Sequence, residues 1–221
     1  MNVTYATKAI VLNVQPWNDV DSRVIFYTQE QGKLELVARG TKKLNSKLSG
    51  HLQPFNLIDL MVINGRRLNY AGAASNLDSY ANIKQNLDKL EASGYAINLF
   101  NRLIKNNEPD PEIFVLLKNF LKIIDQIESE PLFYNLLANI MLLQLLSLLG
   151  YKPEIDLDRL EISFIHQTAQ SSSLSAESLQ NLQMIVDNDL IQVVKQLKIG
   201  RQTAEQINFI INDFIIIVLD N

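Results

Sequence analysis

The first eighty residues carry short apolar, β-branched runs broken by turn residues. KAIVLNVQPW (8–17), SRVIFYT (22–28) and KLELVA (33–38) read as three strands. The second and third flank QEQG, where Gly32 supplies the positive φ that a short turn needs. LIDLMVI (57–63) and LNYAGAA (68–74) read as two more strands around Asn64-Gly65, the strongest short-range hairpin signal. Five short strands joined by turns close into a small barrel, which leaves no sheet edge exposed.

Beyond residue 80 the period changes. Leu87, Leu90, Ile97, Phe100, Leu103 and Ile104 keep helical spacing. Asp110-Pro111-Glu112 predicts a helix start, with a capping acceptor, a proline in the first turn and an acid at the positive dipole end. Ile113, Leu116, Leu117, Phe120, Leu121 and Ile124 then mark one face. Ser129-Glu130-Pro131 opens a further helix by the same logic, running to Gly150 with Pro153 as a stop. It is apolar almost all round and is expected at the centre of a bundle. Residues 152–175 read as a connector with a small strand pair or turn and a serine run. Ser175 opens another helix, and the last long one begins near Gly200-Arg201. The fold class is α+β, a five-stranded barrel (1–80) followed by an all-helical domain (81–221).

Composition narrows the chemistry. A chain of 221 residues that is 47% hydrophobic has enough apolar surface for a proper core. It has no cysteine, which excludes disulfides, thiolate metal sites and cysteine nucleophiles and fits a reducing cytoplasm. MNVTYATKAIVLNV lacks the cationic start and long apolar run of a signal peptide, so none is expected. The longest apolar stretch, from Leu132, is interrupted by Asn135, Asn139, Gln144 and Ser147, which favours a buried helix over a membrane span.

Groups that converge on a reaction are scarce. There is no glycine-rich phosphate loop, nucleophile elbow or histidine pair at i, i+4. His51 and His166 fall in different modules, and His166 beside Phe164 and Ile165 reads as structural. The acid pairs Asp156/Asp158 and Asp187/Asp189 lack a glycine-turned calcium loop and read as solvated acids near helix starts. Neither a catalytic residue nor a metal or other cofactor is expected.

Charge is where the sequence departs from the ordinary. The total is −4, yet residues 1–80 hold nine Lys/Arg against six Asp/Glu, and the remainder eleven against eighteen, giving +3 and −7. Arg39, Lys42, Lys43, Lys47 and His51 lie in ARGTKKLNSKLSGHLQPF (38–55) without one acid. As a functional feature this is a phosphate-binding surface, since lysine and arginine displace condensed counterions from a nucleic-acid backbone. Small barrels commonly pair such a surface with aromatics that stack on bases, and Trp17, Phe26, Tyr27, Phe55 and Tyr70 are the candidates. As a bland feature it is a solvated loop, with most of those rings in the core and Trp17 nearest the surface. Lys33, Arg66 and Arg67 are expected to reach the same face, because strand ends of a small barrel lie close together, which favours the functional reading.

LVARGTKKLNSKLSGHLQPF (36–55) resembles the signature of the RecO recombination-mediator family. So do the opening strands, SGYAINLFNRLI (93–104) and LLSLLGYKPEID (145–156), so the likeness spans about the first 155 residues and, more loosely, the last helix. It implies an N-terminal OB barrel and a helical domain that binds single- and double-stranded DNA, anneals strands and, with RecR, helps load RecA onto DNA coated with the single-stranded DNA-binding protein. It implies a nucleoid-associated cytoplasmic protein with no membrane partner. It further implies docking of that coat protein's acidic, apolar C-terminal tail on the helical half, where Arg102, Lys105, Lys118 and Lys122 are the candidate cations. Many relatives carry four cysteines after the Gly-Tyr-x-Pro-Glu segment as a zinc module. Residues 152–175 have none, so zinc is not expected there. Relatives tend to continue with a basic tail past the point where IIIVLDN ends, so the sequence fits either a truncated or a shortened chain. The competing class is a non-enzymatic protein-interaction adaptor whose barrel binds no DNA.

Overall fold

A computed structural model describes residues 4–164, 167–169 and 175–220, so His166 and the serines at 171–173 lie outside the described residues. The chain forms two compact units, one of residues 1–81 with 101–121, the other of 82–100 with 122–221.

In the first unit β1 (Thr4–Pro16), β2 (Ser22–Thr28), β3 (Gly32–Ala38), β4 (Leu57–Asn64) and β5 (Asn69–Asp78) close into a barrel in the order β1-β2-β3-β5-β4. β1 does double duty. Its first half pairs with β4 from Thr4↔Ile63 to Ile10↔Leu57, and its second with β2 from Ala9↔Thr28 to Pro16↔Ser22. A bulge between Val11 and Asn13 bends it between the two partners. Past the Ile10↔Leu57 pair, the N–H of Val11 donates to Asn56 O and its carbonyl accepts from Phe55 N, both at 2.9 Å. That clamp fixes the C-terminal end of the 39–56 loop. Alternate residues Val24, Phe26, Leu34, Leu36, Ile58, Leu60 and Val62 fill the barrel, and the loop adds Leu52 to this core with Leu48 packed against it.

The β2–β3 turn follows the sequence. Gly32 has φ +67°, and an added Cβ would strike the Glu108 carbonyl, so glycine is required twice over. The β4–β5 turn does not. Asn64 and Asn69 pair with each other, so the loop is the four residues Gly65–Leu68 rather than Asn64-Gly65 alone. Gly65 is absent from the positive-φ glycines, which are Gly32, Gly40 and Gly150. What it provides is space, since a Cβ there would meet the Leu68 carbonyl oxygen. Segment 101–121 covers part of the barrel: the ring of Tyr27 stacks on Phe114 with centroids 6.4 Å apart.

α1 is Ala81–Gln85, α2 Leu87–Leu103 and α3 Pro111–Gln126. Asp110 caps α3, its Oδ1 accepting from the amides of Glu112 at 2.8 Å and Ile113 at 3.1 Å. The second unit is built on α4 (Pro131–Leu148), which packs against α5 (Ala176–Asp187), α6 (Leu190–Gln196) and α7 (Arg201–Asp220). α4 is long and apolar enough to cross a bilayer, and 67% of it is buried inside the protein. Two of its polar interruptions donate within the unit: Asn139 Nδ2 to Asn208 Oδ1 at 2.8 Å, and Gln144 Nε2 to the carbonyls of Ile185 and Asn188, while the buried Asn139 Oδ1 has no hydrogen-bond partner among the described residues. Its N-cap, Glu130, makes no side-chain cap bond, and Ser129 instead donates its amide to Tyr134 Oη.

α2 buries Ile97, Leu99 and Phe100, but its first turns bury Lys89 rather than Leu87 and Leu90. Leu87 is 67% and Leu90 37% exposed, whereas Lys89 is 1% exposed. The Lys89 ammonium donates to Glu128 Oε1 at 2.8 Å and Asp125 O at 3.1 Å, and lies 5.7 Å from the centroid of the Tyr134 ring. Segment 152–175 holds a three-stranded meander, β6 (Glu154–Asp156), β7 (Glu161–Phe164) and β8 (Gln167–Ala169), where the sequence reading expected a strand pair or turn. The acid pairs serve local structure. Asp156 Oδ1 accepts the amides of Asp158 and Arg159, Asp189 caps α6, and Asp187 meets Lys152 Nζ at 3.1 Å.

Candidate nucleic-acid interface

The basic loop is tied down at its start. Between β1 and β2 the turn 17–21 is built on Asn18, whose Oδ1 accepts the amides of Val20 and Asp21. Asp21 Oδ1 in turn accepts the amide of Gly40 at 2.8 Å, at the point where Gly40 takes φ +68°. Lys42 donates its amide to Val20 O at 3.1 Å and its ammonium to Asn18 O at 2.5 Å, and Thr41 Oγ1 donates to Ser22 Oγ at 2.7 Å. Four hydrogen bonds thus join 17–22 to 39–43 and hold the start of the loop against the β1–β2 turn. The Gly40 amide and the Asn18 side chain hold the Asp21 carboxyl below the usual range, and the charges of Arg39 and Lys43 add to the effect.

The barrel's pairing sets the aromatics. Gln15, Arg23, Val37 and Tyr70 are successive partners across β1, β2, β3 and β5, so they form one row on one face of the sheet. At one end the Arg23 guanidinium lies 5.2 Å from the centroid of Trp17, and at the other the Arg39 guanidinium lies 4.2 Å from that of Tyr70. Two flat cation–ring pairs therefore border the outer face of β2 and β3. A Cβ on Gly65 would come within 3.0 Å of the Tyr70 ring, so the turn bearing Arg66 and Arg67 adjoins the Arg39 end of the row.

The structure thus sets Arg39 beside the Arg66–Arg67 turn, through Tyr70, and Lys42 against the 17–21 turn. Arg39, Lys42, Lys43, Lys47, Arg66 and Arg67 are exposed, and none enters an ion pair among the described residues. Lys47 and His51 lie farther along the same loop, on either side of the inward-turned Leu48; Nδ1 of half-buried His51 has no hydrogen-bond partner among the described residues. Lys33 stands apart. Its ammonium donates to Asn101 O at 2.7 Å inside the unit, and burial pulls its pKa down against the opposing pull of Glu35. Of the five aromatics, Phe26, Tyr27 and Phe55 are buried, Tyr70 is half-buried and Trp17 is 45% exposed. Arg23 was missed by the sequence reading. Its signal was its place in β2, out of phase with Val24 and Phe26, which aims it outward beside Trp17. It is ion-paired with Glu35, so it supplies geometry more than net charge. Of the candidate tail-docking cations, Arg102, Lys105 and Lys118 fall in the barrel's unit and Lys122 in the other; Lys118 is half-buried and the rest are exposed.

Residues 1–80 match the family model described as Recombination protein O N terminal, and residues 84–158 that of Recombination protein O C terminal. The chain belongs to the RecO family. Among curated proteins it is similar to the DNA repair protein RecO of Thermoanaerobacter sp. (strain X514), with 28% identity over 68% of this chain and 59% of that one. It is 31% identical to that of Gloeothece citriformis (strain PCC 7424) over 70% of this chain and 54% of that one. It is 30% identical to that of Cutibacterium acnes over 69% and 63%. The matched region therefore spans between 54% and 63% of these RecO proteins. The basic loop and the Arg23–Tyr70 row lie within the N-terminal RecO match.

Proposed function

We propose that this chain is a DNA-binding recombination mediator of DNA repair. The barrel of 1–80 holds DNA and the helical part of 81–221 docks partners. The observation that carries this reading is the set of exposed cations that enter no ion pair among the described residues, Arg39, Lys42, Lys43, Lys47, Arg66 and Arg67, on loops that border two guanidinium–aromatic pairs. Ammonium and guanidinium groups take the phosphates, and the flat pairs accept bases with little regard to sequence. Phosphate contacts fix the strand without reading it. Annealing then needs no catalytic residue: neutralised phosphates let two strands approach, and base pairing supplies the driving energy. Single and double strands both present the phosphates this surface needs. By family likeness, the mediator acts in the cytoplasm at the nucleoid. With RecR it loads RecA onto DNA covered by the single-stranded DNA-binding protein. It engages the C-terminal tail of that protein through cations drawn from Arg102, Lys105, Lys118 and Lys122.

The test is titration of a fluorescent single strand at several salt concentrations. Affinity falls steeply with salt, and the Lys42/Lys43/Lys47→Ala triple variant lowers the magnitude of the log–log slope by about 0.7 per lost contact. An unchanged slope and affinity in the triple variant removes this loop from the interface. Absence of salt-dependent binding in the wild type leaves the barrel as a scaffold for protein partners.

A further inference from the structure

We propose that Leu44 is a wedge that enters between neighbouring bases of DNA held by the basic loop and parts their stack; this rests on the DNA-binding reading above. Leu44 is 105% exposed, against 67% for Leu87, the next most exposed large apolar residue among those described. Its surroundings set it apart from a stray surface leucine. Lys42 and Lys43 precede it and Lys47 follows, so a lone apolar side chain stands among ammonium groups. The segment beneath it is held by backbone bonds, Lys42 N to Val20 O at 3.1 Å, Lys43 N to Gly40 O at 3.2 Å and Ser46 N to Lys43 O at 3.0 Å. The leucine is therefore presented on a braced tip.

The β4–β5 turn repeats the composition: Leu68, 42% exposed, follows Arg66 and Arg67. Val20, 43% exposed, lies between Asp19 and Asp21 in the β1–β2 turn, where its carbonyl accepts the Lys42 amide. A ligand that fits must alternate anionic and apolar surface over a few ångströms. DNA does: phosphates held by the lysines bring base faces within reach of the side chain between them. An acidic, apolar peptide shares that alternation, but the planar Arg23–Trp17 and Arg39–Tyr70 pairs on the adjoining face match bases better than a peptide. Aliphatic wedges inserted between base steps are an established way for proteins to deform DNA. Covering a whole leucine side chain releases free energy comparable to the stacking of one base step, so the exchange is feasible.

The probe is an oligo-adenine strand with one internal 2-aminopurine, whose fluorescence rises when its neighbours unstack, added to the full chain. Three proteins are compared: wild type, Leu44→Gln, which keeps the length but not the apolar surface, and Leu44→Met, which keeps both. So exposed a side chain has no packing to lose. Wild type and Leu44→Met brighten the probe on binding. Leu44→Gln binds on the order of tenfold more weakly without the brightening, and its salt slope is unchanged because no phosphate contact is lost. Equal brightening and affinity in wild type and Leu44→Gln overturns the wedge and leaves phosphate binding standing. Loss of salt slope with Leu44→Gln also overturns it, since the change then acts through the lysines. A wild type that binds no strand at any salt overturns the wedge and the DNA-binding reading together.

Discussion

Single residues hold the candidate interface in place, and Asp21 is the one on which most converges. Its carboxylate accepts the Gly40 amide and sits in the field of Arg39 and Lys43. Because the folded state lowers its pKa, the contact contributes fully above the ordinary carboxylate range and is lost only as pH falls through the lowered value. A pH titration followed by the Gly40 amide resonance is expected to turn over below the range of an unperturbed aspartate. A midpoint at the ordinary value means the loop is not pinned through this group. Legibility at this scale was uneven. Gly32 and the Asp110 cap were plain from sequence because a turn or cap is decided by neighbours along the chain. Lys33 was grouped with the phosphate-binding cations because its charge is local, but its fate depends on Asn101, 68 residues away. Arg23 was overlooked for the converse reason: the ring it covers is reached across the β1–β2 turn.

At the scale of elements, the five strands and the principal helices lie where the hydrophobic periods put them. The faces they bury are another matter. Of the positions whose spacing marks α2, Ile97 and Phe100 are buried, but Leu87 and Leu90 are exposed and Lys89 is packed between them, its ammonium finding Glu128, Asp125 O and the face of Tyr134. A buried cation is tolerated only when such partners converge, and those partners come from later in the chain. Lys89→Ala is expected to cost about 2–4 kcal/mol in urea denaturation, through the cavity left by the stem. Lys89→Met, which keeps the packing and removes the charge, is expected to stay within about 1 kcal/mol of wild type. Equal losses in the two variants mean the charge contacts, not the stem, hold α2. The Asn64-Gly65 hairpin was likewise right in kind and wrong in detail, because pairing of Asn64 with Asn69 makes the turn four residues long.

For the whole molecule, the net charge of −4 is a poor guide to partners. Binding to DNA follows the counterions released at contacts, not the total. The Arg66/Arg67→Glu double variant is therefore expected to weaken strand binding by more than tenfold at low salt and to flatten the salt slope. Lys195/Lys198→Glu, an equal change in charge on exposed lysines outside the RecO matches, leaves the slope as it was. Equal weakening by both pairs means that overall field, not the barrel face, governs the affinity.

The sequence alone determined that a β-rich module precedes a helical one, that the first eighty residues are net positive and the rest net negative, that no cysteine is present, and which family the chain belongs to. Each of these depends on composition or on residues close together along the chain. Tertiary structure decided which cations share a face with Tyr70 and Trp17, that Lys33 is engaged elsewhere, and that Lys89 is buried. Those outcomes depend on barrel register and on partners tens of residues distant. A one-residue shift in strand pairing turns every side chain to the opposite face, so only the closed barrel fixed the row from Arg23 to Tyr70.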